Sequence, residues 1–195
     1  MTEKAPRARL LERAIEYVTQ NGMGDLSLRE LAAALGTSHR MLIHHFGSKE
    51  ALWVAIVREV EQRQRAVLAQ TLPEPGRPLE EAMRDWWKHI SDPSLWPNER
   101  LFFELYGQAV QGRAHTEALL DGIVDDWLEP IAEINVGLGM APGAARAHAR
   151  LGLAVTRGLL LDLVATGDVA GVDAAMEAFI AVYVPWLEGL AADAT

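Results

Sequence analysis

The sequence contains no cysteine. That excludes a disulfide scaffold, a thiolate nucleophile and any Cys-ligated zinc or iron–sulfur centre. Long apolar runs are missing too. The longest uncharged one covers residues 178–187 and is interrupted by Pro185, half the roughly 20 residues a membrane span needs. The first ten residues carry no apolar h-region, so a secretory signal is not expected. A soluble, cytoplasmic protein without a membrane partner is the expectation. Val plus Ile number only 22 against 56 for Ala plus Leu. No stretch alternates apolar and polar residues between hairpin turns, and no repeat recurs. The expected fold class is all-α.

What is present suffices for a core. Half of the 195 residues are apolar and 23% are charged, which excludes disorder as the main state. A chain of this length makes one domain, or one with a small appendage, and buries about 70% of its unfolded surface. The net charge of −9 hides an asymmetry. Residues 1–65 hold ten basic and eight acidic side chains, whereas residues 66–195 hold eight and nineteen. A polyanionic partner would therefore meet the N-terminal part.

Periodicity predicts helices over residues 6–20, 27–35, 38–45 and 48–71. A Pro/Gly-rich break at 73–78 follows, and further helices are expected over 79–91, 99–111, 116–136, 142–165 and 172–189.

The segment from Leu28 to Phe46 is the most informative. Ser27-Leu-Arg-Glu30 is a capping box. Leu28, Leu31 and Leu35 share one face of the first short helix, and Gly36 supplies the turn. Leu42 and Phe46, four residues apart, give the second short helix its buried face. This is helix-turn-helix logic. A two-turn helix cannot support itself and needs packing from its neighbours. Arg40, Met41 and His44 then point away from the buried side, with His39 at the exposed first turn. A recognition helix reads base edges with residues of this kind. Lys49 lies in the first turn of the next helix, where the macrodipole disfavours a cation. It is either a solvated lysine offset by Glu50 or part of an anion site for a DNA phosphate.

These residues carry a resemblance. The first 57 or so resemble the DNA-binding domain of the TetR family of transcriptional regulators. The match runs from Ala14 through Ser27-Leu-Arg-Glu-Leu-Ala-Ala-Ala-Leu-Gly36 and Ser38-His-Arg-Met-Leu42. It closes on His45-Phe-Gly-Ser-Lys49-Glu-Ala-Leu52. Ile43 stands where the family usually has a tyrosine, so the phosphate contact of that hydroxyl is not carried over. The resemblance implies base-facing roles for Arg29, His39, Arg40 and Met41. It implies backbone-facing roles for Ser27, Thr37, Ser38, His44, His45 and Lys49. Arg29 could instead pair with an acid on its own helix, and His45 could be a core-edge histidine.

Seven of the thirteen aromatics fall between residues 86 and 127: Trp86, Trp87, Trp96, Phe102, Phe103, Tyr106 and Trp127. They form either ordinary core or the lining of a pocket for an apolar or flat small molecule. The resemblance implies an effector pocket among these helices. Asp121, Asp125, Asp126 and Glu129 could attract a cationic ligand or form a solvated face. Apolar stripes through Leu151, Val155, Leu159 and Leu163, and through Phe179, Ile180, Tyr183 and Leu187, fit an interface or an internal core. The resemblance implies a dimer through these last two helices.

No catalytic pattern is found. Gly137-Leu-Gly139 lacks a preceding strand, and His44 and His45 diverge on a helix. No catalytic residue, metal site or cofactor is expected. The reading is an N-terminal helix-turn-helix domain (1–57) and a C-terminal effector-binding and dimerisation domain (58–195), linked by the helix from 49 to about 71. It describes a homodimeric repressor on double-stranded DNA, at an inverted-repeat operator, released by a small-molecule effector. The alternative is a helical small-molecule-binding protein that does not act on DNA.

Overall fold

The computed structural model describes residues 6–22, 26–71, 77–114 and 116–193. The expected break at 73–78 falls largely outside them, as does His115. The described residues are helical, without strands. The helices are α1 (Pro6–Asn21), α2 (Leu28–Ala34), α3 (His39–Phe46), α4 (Lys49–Thr71), α5 (Leu79–Ile90), α6 (Trp96–Val110), α7 (Asp125–Gly137), α8 (Pro142–Thr166) and α9 (Val169–Asp193). Short 3-10 turns occupy Pro93–Leu95 and Glu117–Leu120.

Two differences from the sequence reading have local causes. The helix expected over 116–136 is broken before α7. Gly122 adopts φ +77°, and a Cβ there would lie 2.7 Å from Asp126 Oδ1, so the chain turns where apolar periodicity suggests continuity. α6 starts three residues early because Pro97 occupies its first turn, where a missing amide hydrogen costs nothing.

The chain forms two compact units. The first comprises residues 1–63 and 93–121, the second 64–92 and 122–195. The expected boundary at 57/58 falls inside α4, and α6 belongs with the N-terminal helices.

In the first unit α1 buries Leu11, Ala14, Ile15 and Val18. α4 contributes Leu52, Trp53, Ile56 and Val57. The side chains of Thr19 on α1 and Asn98 on α6 are 3.2 Å apart and hydrogen-bonded. Arg63 grips Glu12 with two bonds of 3.0 and 2.7 Å.

In the second unit Trp127 and Leu128 pack on Ala149 and Leu153. Asn135 Nδ2 donates to the Ala145 carbonyl at 3.1 Å. Trp87 Nε1 donates to Asp173 at 2.7 Å, and Arg84 pairs with Glu177 at 2.9 Å. Those acids lie within residues 169–187, a stretch long and apolar enough to cross a membrane by length and composition. Here its two acids bind partners on α5.

Candidate nucleic-acid interface

The interface is built on two caps and a glycine. Ser27 Oγ accepts from the Glu30 backbone N–H at 3.2 Å, and Glu30 accepts from the Ser27 N–H at 2.8 Å. The bonds to Ser27 hold the Glu30 carboxyl below its usual range, with a smaller contribution from Lys49. Gly36 ends the motif's first helix at φ +57°, a left-handed turn that side chains with a Cβ disfavour. Ser38 then caps α3, accepting from the Met41 N–H at 3.2 Å. Leu42 is fully buried and Phe46 nearly so, which anchors the two-turn helix through one face.

The opposite face is open. Arg29, Ser38, His39, Arg40, Met41 and His44 are exposed, and Thr37 is half-buried. Ser27 is also exposed; its cap uses the oxygen as acceptor and leaves the hydroxyl proton to donate. His45 is half-buried against Phe46 and His44, and its Nε2 is buried without a hydrogen-bonding partner. Only the rest of that ring can reach a phosphate. Lys49 is half-buried, its ammonium 5.9 Å from the centre of the buried Trp53 ring. Arg7 supports the far side, donating to the His45 carbonyl and lying 5.0 Å from the Phe46 ring centre. Arg7 carries no motif signal. Only the tertiary contact reveals it.

The seven candidate pocket aromatics are divided between the units. Trp96, Phe102, Phe103 and Tyr106 belong to the first, and Trp86, Trp87 and Trp127 to the second. Phe102 stacks on Tyr106 at 5.4 Å. It lines a recess with Val57, Glu61, Asn98 and Glu99, whose empty space is about 220 Å³ with its open mouth included. The enclosed part is only about 10 Å³, room for about one water and far short of a usual small-molecule site. Trp87 and Trp127 are buried core, and Trp86 packs 5.8 Å from Trp127. Three of the four acids of the run form ion pairs at the surface: Arg146 bridges Asp125 and Glu129, and Arg65 pairs with Asp126.

Two of the interface candidates lie in the core of the chain itself. Tyr183 and Leu187 are buried with Met140 and Ala145. Tyr183 Oη donates to the His148 carbonyl at 2.9 Å, and burial pushes the phenol up to about 12. Leu163 is also core. Leu151 is exposed, whereas Val155, Leu159 and Phe179 are half-buried. The open apolar side chains of α8 and α9 that the stripes missed include Leu161, Val182 and Trp186, at 49, 74 and 49% exposure. With Leu151, Ala154, Gly158 and Ala165, Leu161 forms one helical stripe of α8. Ala175, Ala178, Val182 and Trp186 do the same on α9.

Comparison with known proteins follows the same lines. The profile of bacterial regulatory proteins, tetR family, matches residues 10–56. The chain is 32% identical over 148 residues to the HTH-type transcriptional repressor AcnR of Corynebacterium diphtheriae, covering 65% of this chain and 75% of that relative. It is 37% identical over 90 residues to AcnR of Corynebacterium efficiens, covering 46% and 43%. It is 40% identical over 70 residues to the regulatory protein RaaS of Mycobacterium tuberculosis, covering 34% and 32%. The chain thus spans less than half the length of these last two curated relatives. Among solved structures, a transcriptional regulator from Rhodococcus sp. Rha1 is similar with a TM-score of 0.75 at 18% identity, covering 94% of this chain and 98% of that one. Salmonella enterica GusR is similar with a TM-score of 0.68 at 24% identity, covering 98% of both. At these identities the structural likeness concerns the fold.

Proposed function

The chain belongs to the TetR family of bacterial regulatory proteins, and from that premise we propose that it is a homodimeric, cytoplasmic repressor binding an inverted-repeat operator in duplex DNA. One observation carries the reading. A two-turn helix too short to stand alone is buried through Leu42 and Phe46 and leaves Arg40 and His44 in solvent. Arg40 meets base edges with its fork of donors, and Arg29 and His39 extend the contact. Thr37, Ser38 and Ser27 donate hydroxyl hydrogens to phosphates, and Lys49 supplies the charge. Ser27 and Ser38 already cap their helices, so these contacts cost little extra side-chain order.

A single head reads a short half-site, and a symmetric dimer doubles it. The apolar stripes of α8 and α9 support a second copy as the occupant, because large apolar groups standing open on long helices favour burial. The small residues between them let two helices approach closely. Phe179, Val155 and Leu159 lie at the stripes' edges, whereas Tyr183 and Leu187 act from inside by holding α9 in place.

A small-molecule effector completes the reading. α4 begins with Lys49 at the DNA-facing head, and from Gln64 onwards its residues belong to the second unit. A ligand that favours one setting of this helix weakens the operator complex, with a coupling of about 1–3 kcal/mol. Phe103, Tyr106 and Trp96 are the aromatics of the first unit not committed to deep core, and they are the candidates to meet it.

The test is selection of bound fragments from random duplex DNA by the full-length chain. An inverted repeat with half-sites about one helical turn apart is expected. Recovery of no preferred sequence, or binding without steep salt dependence, would refute the reading in favour of a helical ligand-binding protein that ignores DNA.

A further inference from the structure

Among the described residues up to 109, two large apolar side chains are exposed: Met41 at 41% and Ile43 at 37%. Both are on the eight-residue α3. The first unit's other exposed large apolar side chains, Val110 and Leu120, stand outside the helix-turn-helix. At about 100° per residue, Arg40 and His44 form the outermost line of the helix. Met41 lies about 80° to one side of it and Ile43 about 80° to the other. The helix thus offers a polar ridge with an apolar shoulder on each flank.

We propose that Met41 and Ile43 are specificity residues that read thymine, each packing on the C5-methyl of a thymine beside the base met by Arg40. The inference rests on the DNA-binding reading above. In the major groove the thymine methyl is the apolar group that base edges present. Guanine, adenine and cytosine offer acceptors and donors instead. Covering those with the carbon of Ile43 or the thioether of Met41 leaves polar groups dehydrated and unpaired. The shoulders therefore favour thymine and disfavour the other bases at their positions. A half-site with a guanine for Arg40 and thymines flanking it is the sequence this surface fits.

The experiment uses the full-length chain and the operator recovered by selection. Each thymine is replaced in turn by deoxyuridine, which removes only the methyl. At one or two positions in each half-site the affinity falls about fourfold, the worth of one buried methyl-sized group. Ile43→Ala removes that sensitivity at its own position, and Met41→Ala at the other. Both side chains are exposed, so both variants fold, and a circular dichroism melt checks this. Unchanged affinity for every deoxyuridine duplex overturns the inference, and would point to a protein partner for the shoulders. So does a fourfold loss that persists in both variants. If no duplex is bound at all, the DNA-binding reading falls and this inference with it.

Discussion

Lys49→Ala separates a role in DNA binding from a role in folding, because the two are expected to respond differently. The lysine stands in the first turn of α4, where the helix dipole penalises a cation by about 0.3–1 kcal/mol. Against this, its ammonium lies 5.9 Å from the Trp53 ring centre, a contact worth about 0.5–1 kcal/mol. The two nearly cancel. Folding stability should change by less than about 0.5 kcal/mol, a shift in Tm within about 2 °C for a chain of this length. The Ser27–Glu30 capping box keeps its own bonds and survives. DNA binding should respond strongly. If Lys49 of each protomer neutralises one phosphate, the variant dimer releases two fewer counterions. The slope of log affinity against log salt then flattens by about 1.8. Between 50 and 200 mM salt, the gap between wild type and variant should narrow about tenfold. Fluorescence anisotropy with labelled operator and with random duplex, across a salt series, measures both slopes. They should flatten equally, since a phosphate carries no sequence information. An unchanged slope with an altered sequence preference would refute the phosphate role. A large fall in Tm would show that the lysine is structural.

Other outcomes follow from the same geometry. Arg40→Ala should cost about 1–3 kcal/mol of operator affinity and relax preference at one base per half-site, with the melt unchanged because the side chain is exposed. Competition assays against operator variants read this, and equal affinity would remove Arg40 from the interface. Val182→Asp places a charge at the most open apolar position of α9. Light scattering should show monomers with an intact fold, whereas a persistent dimer would place the self-association surface elsewhere. For Tyr183, burial favours the neutral phenol in the folded protein and lifts it to about 12, against about 10 in the unfolded chain. Its stabilising effect is therefore complete below about pH 10 and is lost as pH rises towards 12. Denaturant melts between pH 9 and 12 should show the decline, and Tyr183→Phe should lessen it; an equal decline in the variant would exclude Tyr183 as the cause.

The head was the most readable part of the chain, for a local reason. Ser27, Glu30, Gly36 and Ser38 act on backbone groups within three residues of themselves, and Leu42 and Phe46 lie one turn apart. Each signal closes inside a few residues, so reading along the chain finds it. The last helices were harder. α9 buries Val172, Met176, Ile180, Tyr183, Val184 and Leu187 while exposing Val182 and Trp186. A helix apolar on nearly every side has no polar face to mark which stripe turns inward. That Tyr183 and Leu187 turn inward is therefore not legible from the stripe alone. The surroundings of the aromatic set are non-local for another reason. Adjacency in sequence suggested that Trp86 and Phe102 share surroundings, but α6 is tied to α1 through Asn98 and Thr19, 79 residues apart.

By itself the sequence determined the all-helical class, the caps and turn of the helix-turn-helix head, and the polar side of α3, because propensity, capping and amphipathic period are short-range effects. Tertiary structure alone decided that residues 93–121 pack with the first helices, that the acidic run of α7 is met by Arg65 and Arg146, and which stripe of α9 is left open. Those outcomes depend on which surfaces meet after the chain folds back, and a helix that is apolar all round, or an acid that any arginine could neutralise, does not encode its partner locally.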